Sequence, residues 1–147
     1  MISSFDIVVG EHDTTDSNDG TVHSVARVVE HPNYSSNPPN YDFAIAILTT
    51  PISFNTRANA ACLPESSWNG DFLAGKNLKV SGWGTTSQGG GNPTVLHHVN
   101  VLGLTNSQCG NLYSSYRITD AMVCAGNVEN GGVDSCQGDS GGTYSKT

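Results

Sequence analysis

The feature that most constrains this chain is a serine framed by glycines, in the stretch Gly131-Gly132-Val133-Asp134-Ser135-Cys136-Gln137-Gly138-Asp139-Ser140-Gly141-Gly142. Glycine has no Cβ, so its backbone takes positive φ readily and its N–H can approach a ligand closely. The stretch therefore reads as a loop, and Cys136 can pin it. Such a loop can hold a serine oxygen beside convergent amide donors. That is what an acyl-transfer nucleophile with an oxyanion hole requires.

Gly138-Asp139-Ser140-Gly141-Gly142 also fits the pattern Gly-x-Ser-x-Gly, the nucleophile elbow of α/β-hydrolases. That motif needs a strand before the serine and a helix after it. Here a glycine-rich loop precedes Ser140, and little sequence follows it, so the elbow is the poorer reading.

Composition narrows the classes of partner. Six Lys and Arg stand against thirteen Asp and Glu in 147 residues, a formal charge of -7. No basic patch can be assembled from so few cations, which disfavours a nucleic acid or an anionic membrane surface. Only 13% of residues are charged, and Gly, Ser, Thr and Asn are plentiful, as in a loop-rich β protein. No apolar run has the length of a transmembrane helix. Met1-Ile2-Ser3-Ser4-Phe5-Asp6 has neither a basic nor an apolar region of a signal peptide. Cys62, Cys109, Cys124 and Cys136 lack metal-ligand spacing. With the sequon Asn33-Tyr34-Ser35, they point to an oxidising compartment.

Strands are expected at Ile7-Val8-Val9, from Thr21 to Glu30, and over Ala44-Ile45-Ala46-Ile47-Leu48. Further strands are expected at Leu78-Lys79-Val80-Ser81-Gly82, from Leu96 to Leu104, and at Met122-Val123-Cys124-Ala125-Gly126. Gly10 to Gly20 reads as a polar, acidic loop. Thr105-Asn106-Ser107-Gln108 reads as a capping box opening a short helix that carries Cys109.

The string from Asp134 to Gly142 resembles the active-site loop of the chymotrypsin family of serine proteases, in particular its trypsin-like members. The likeness runs from about Phe5 to Gly142 in unbroken order. Tyr41-Asp42-Phe43-Ala44-Ile45-Ala46 is similar to the family's Asn-Asp-Ile-Ala-Leu-Leu, with Tyr41 in place of the usual Asn, and Gly82-Trp83-Gly84 matches well. The resemblance implies an all-β fold, a trypsin-like double antiparallel β-barrel incomplete at both ends, with one short helix. Residues 1–54 would form the back part of the first barrel, 55–76 the linker, and 77–147 the front part of the second.

The resemblance also implies residue roles. Ser140 would be the nucleophile and Asp42 the buried carboxylate that orients the imidazole. Gly138 and Ser140 would give the oxyanion-hole N–H groups. Asp134 would sit at the base of the specificity pocket and select Lys or Arg in a peptide or protein substrate. Asp139 would support the oxyanion loop. Cys109 would pair with Cys124, while Cys62 and Cys136 would find partners outside these residues. Glu11, with a carbonyl from Asp13, would belong to a structural calcium loop whose closing glutamate is replaced near Asp19 to Thr21. No other cofactor is implied, and the compartment is extracellular.

Three departures qualify this. None of His12, His23, His31, His97 and His98 sits in the family's Ala-Ala-His-Cys segment. The Ile-Val-Gly-Gly start, whose amine would pair with Asp139, is also not seen, so an unpaired carboxylate and a zymogen-like loop are expected. Thr143 replaces the family's Pro. The isolated chain is therefore expected to be inactive and marginally stable, part of a trypsin-like endopeptidase. The alternative, a non-catalytic homologue acting as a binding or regulatory module, is disfavoured by the retention of Ser140, Asp42 and Asp134.

Overall fold

The computed structural model describes residues 5–68, 70–113, 117–129, 131–132 and 134–146. Met1 to Ser4, part of the stretch without signal-peptide character, and Val133 of the serine loop lie outside them. The chain groups into two compact units, Met1–Leu63 and Pro64–Thr147.

In the first unit, β1 (Asp6–Val9), β2 (Thr21–Glu30) and β5 (Ala44–Leu48) form an antiparallel sheet in the order β1-β2-β5. β-Branched residues at Val22, Val25, Val28 and Val29 favour the pleated backbone of β2. Its pairing with β5 shifts register between Val25 and Arg27, a bulge that leaves Ala26 unpaired. The short strands β3 (Ser35–Ser36) and β4 (Pro39–Asn40) form a separate hairpin. Ala58 is the only buried apolar residue described in this unit, with Asp19 and His23 also buried. Val22, Phe43 and Ile45 remain exposed.

The second unit holds a four-stranded antiparallel sheet in the order β8-β7-β6-β9, made of β6 (Asn77–Gly82), β7 (His97–Leu104), β8 (Cys124–Gly126) and β9 (Tyr144–Lys146). Alternation along β6 turns Leu78 and Val80 inward, where they pack on Val101 of β7. Neither of the larger sheets closes into a barrel among the described residues.

Helix α1 (Asn106–Leu112) starts as the capping box predicts. The Thr105 hydroxyl accepts from the Gln108 N–H at 3.1 Å, and Gln108 Oε1 accepts from the Thr105 N–H at 2.9 Å. Cys109 on this helix and Cys124 on β8 form a disulfide, at a sequence separation of 15. The bridge packs with Leu104 and Ile118 in a second apolar cluster.

Candidate active-site loop

Ser140 lies in the second unit, where two tight turns follow one another. The Asp139 N–H donates to the Cys136 carbonyl at 3.1 Å, and the Gly142 N–H donates to the Asp139 carbonyl at 2.8 Å. Each turn places a glycine at its third position, Gly138 with φ 98 and Gly141 with φ 85. A type II turn demands positive φ there, which glycine supplies without steric cost. Ser140 is the second residue of the latter turn, and it is exposed. Neither Gly138 nor Ser140 donates its N–H to an acceptor among the described residues.

Asp139 fastens this loop to the end of β6. Its Oδ1 accepts from the Gly84 N–H at 2.8 Å, and its Oδ2 from the Cys136 N–H at 2.9 Å. The glycines of Gly82-Trp83-Gly84 make room for that carboxylate. A Cβ at Gly82 would fall 2.0 Å from Oδ1, and one at Gly84 would fall 2.5 Å from Cγ. The Thr85 N–H donates to the Gln137 carbonyl at 2.8 Å, and Asn92 Nδ2 donates to the Trp83 carbonyl at 2.9 Å. Two backbone amides thus hydrogen-bond Asp139, and no ion pair to it is seen among the described residues. In the sequence Gly82 and Gly84 are only a match to a motif; the packing of the carboxylate against their Cα atoms accounts for both.

Asp134 is exposed and accepts from the Ser135 N–H at 2.8 Å. It lines two cavities of this unit, of about 670 Å³ and about 370 Å³. His97 and His98 line the smaller one together with Cys136 and Asp139, and neither ring hydrogen-bonds Ser140. Cys136 is a free thiol whose Sγ accepts from the Thr85 hydroxyl at 3.0 Å, and Cys62 is free and exposed.

Asp42 belongs to the first unit, in the link between β4 and β5. The Phe43 N–H donates to the Tyr41 carbonyl at 2.9 Å, closing a three-residue turn with Asp42 at its centre. Tyr41 has φ 49, a region where Asn is common and a bulky residue is not. Its ring stacks on His31 with centroids 4.7 Å apart. The buried carboxylate implied by the resemblance is not found here: Asp42 is exposed. Its neighbours Phe43 and Ile45 are exposed as well, so no apolar layer covers this part of the unit among the described residues.

The loop expected to bind calcium is centred on Asp19. Its Oδ2 accepts from the N–H groups of His12 and Asp13 at 2.9 and 2.7 Å, and its Oδ1 pairs with Arg57 Nη1. The Asp13 amide is the main cause that holds the Asp19 carboxyl below its ordinary range; burial opposes it, and the His12 amide and Arg57 add to it. Among the described residues, no three His, Cys, Asp or Glu side chains are grouped closely enough to hold a metal ion. Nor is any described helix long and apolar enough to cross a membrane.

The family model named Trypsin matches residues 2–146. The chain is 39% identical to the serine proteinase stubble of Drosophila melanogaster, covering 97% of this chain and 18% of that protein. It is 37% identical to Trypsin-1 of Astacus astacus, covering 95% of this chain and 57% of the relative. Against Trypsin-2 of Salmo salar the identity is 39%, covering 95% of this chain and 58% of the relative. The chain thus spans just over half the length of these two trypsins.

Proposed function

This chain belongs to the trypsin family, and from that premise we propose that it is the part of a serine endopeptidase that carries the nucleophile and the orienting aspartate. Ser140 Oγ attacks the scissile carbonyl of a peptide. The charge that develops on the carbonyl oxygen is received by the N–H groups of Gly138 and Ser140. Asp42 orients the imidazole that takes the serine proton and stabilises the imidazolium. That imidazole comes from a segment outside these 147 residues, since none of the five histidines stands in the matching motif. The isolated chain is then a scaffold without its general base.

The observation that carries this reading is the serine loop itself. Two glycine turns hold Ser140 at the surface, and the Gly138 and Ser140 amides have no acceptor among the described residues. Amide donors that already point nowhere else need little reorganisation when an oxyanion forms.

Asp134 selects a Lys or Arg side chain, because a carboxylate facing an apolar group in a closed pocket would lose hydration without gaining a partner. The Cys109–Cys124 disulfide suits an oxidising, extracellular compartment. The test is a product of the same gene that carries the Ala-Ala-His-Cys segment, assayed on peptides with Lys, Arg or Leu before the cleaved bond. It should cleave after Lys and Arg, and Asp134→Ser should lower kcat/KM on those peptides by at least about 100-fold. Equal cleavage after Leu would contradict the assigned pocket.

A further inference from the structure

We propose that Arg57 is the resident cation of the acidic 10–20 loop, so that the loop is closed by its own guanidinium and takes no calcium ion.

Several oxygen atoms that this loop could offer a calcium ion already accept hydrogen bonds within it. Calcium is held by six to eight oxygens from carboxylates, carbonyls and water. The Asp13 carbonyl, the ligand implied by the resemblance, accepts from the Asp16 N–H at 3.0 Å. The Asp13 carboxylate accepts from the N–H and the hydroxyl of Thr15, at 3.0 and 2.8 Å. Asp16 uses its carbonyl for the Asp19 N–H and its carboxylate for the Asn18 N–H, both at 2.9 Å. At the centre of the loop, His12 and Asp13 turn N–H groups toward Asp19, where a cation would require carbonyls. Backbone dipoles in that orientation favour an anion and oppose a metal ion.

The site of Asp19 is built rather than incidental. Its side chain is 4% exposed, and both carboxylate oxygens have partners. Arg57 reaches it from a turn that is itself fixed. The Asn55 N–H donates to the Ala58 carbonyl at 2.8 Å, and Asn55 Oδ1 accepts from the Arg57 N–H at 2.7 Å. Arg57 is 59% exposed at its side chain, and its guanidinium caps the buried Asp19 carboxylate. A divalent ion beside Asp19 would also meet the positive charge of Arg57 at contact distance.

The experiment is amide hydrogen exchange on the 147-residue chain, read at His12 and Asp13, in 5 mM calcium chloride and in EDTA, with Tb³⁺ luminescence as a binding readout. The expected result is the same protection of both amides in either buffer and no saturable Tb³⁺ uptake. Arg57→Met, which keeps an apolar stem, should lower protection at both amides at least about fivefold, and Arg57→Lys should restore part of it. The amides of Val80 and Val101 in the second unit serve as a folding control. Saturable Tb³⁺ uptake with calcium-dependent protection in the unmodified chain would overturn the proposal. So would unchanged protection in Arg57→Met. The comparison of buffers needs no variant, so it decides the question even if Arg57→Met fails to fold.

Discussion

Gly84 donates its N–H to Asp139 Oδ1 at 2.8 Å, across 55 positions of sequence. A Cβ on Gly84 would meet the carboxylate carbon at 2.5 Å. The serine loop and the end of β6 are therefore locked by one short acidic side chain and the absence of another. Gly84→Ala should push Asp139 off both amides and strand a half-buried carboxylate. We expect a loss of roughly 1–3 kcal/mol in urea unfolding. Both tryptophans, Trp68 and Trp83, lie in the second unit, so their fluorescence reports this transition.

Reduction of the Cys109–Cys124 bridge should also act on the second unit. A closed loop with a separation of 15 residues corresponds to roughly 3 kcal/mol in the chain-entropy account. Cys109→Ser with Cys124→Ser, followed by tryptophan fluorescence in urea, checks this. The reductant should then have no further effect on the double variant.

The two units should differ in stability. Leu78 is fully buried among Val80 and Val101, whereas Ile45 of β5 is 59% exposed. Leu78→Ala should cost about 2–5 kcal/mol, and Ile45→Ala under about 1 kcal/mol. Hydrogen exchange should open β2 and β5 before β6 and β7, since local opening follows the density of buried contacts. Uniform protection across both units would contradict this.

The strands and the helix start were legible because they rest on local patterning. Thr105 and Gln108 lie within one turn of each other, and the alternation of Leu78 and Val80 is visible in six residues. What holds the candidate site together was not legible. The Gly84–Asp139 contact spans 55 positions and the Arg57–Asp19 pair spans 38, and neither leaves a periodic trace. Arg57 is the clearest case. A single arginine in a polar turn looks like any solvated cation until folding brings a buried carboxylate to it. The exposure of Asp42 was equally invisible, because burial depends on what covers a strand, which the strand's own sequence does not state.

Acid should loosen the first unit through Asp19. Its carboxyl lies below the ordinary value of 3.8 in the folded chain, chiefly through the Asp13 amide. A lowered folded-state value means the unfolded chain binds the proton more readily. The stabilisation is therefore complete above the unfolded value and fades as pH falls through the folded one. Protection at His12 and Asp13, taken relative to the intrinsic exchange rate at each pH, should fall below about pH 4, and Asp19→Asn should remove that loss.

Reactivity of Ser140 toward a fluorophosphonate probe, located by peptide mass spectrometry, tests the central claim most directly. A longer product that carries an Ala-Ala-His-Cys segment should be labelled at Ser140, and its Ser140→Ala variant should not. The 147-residue chain alone should show only background labelling, because the proposed mechanism takes the serine proton with a histidine of the Ala-Ala-His-Cys segment. Strong labelling of Ser140 in that isolated chain, or none in the longer product, would contradict the account.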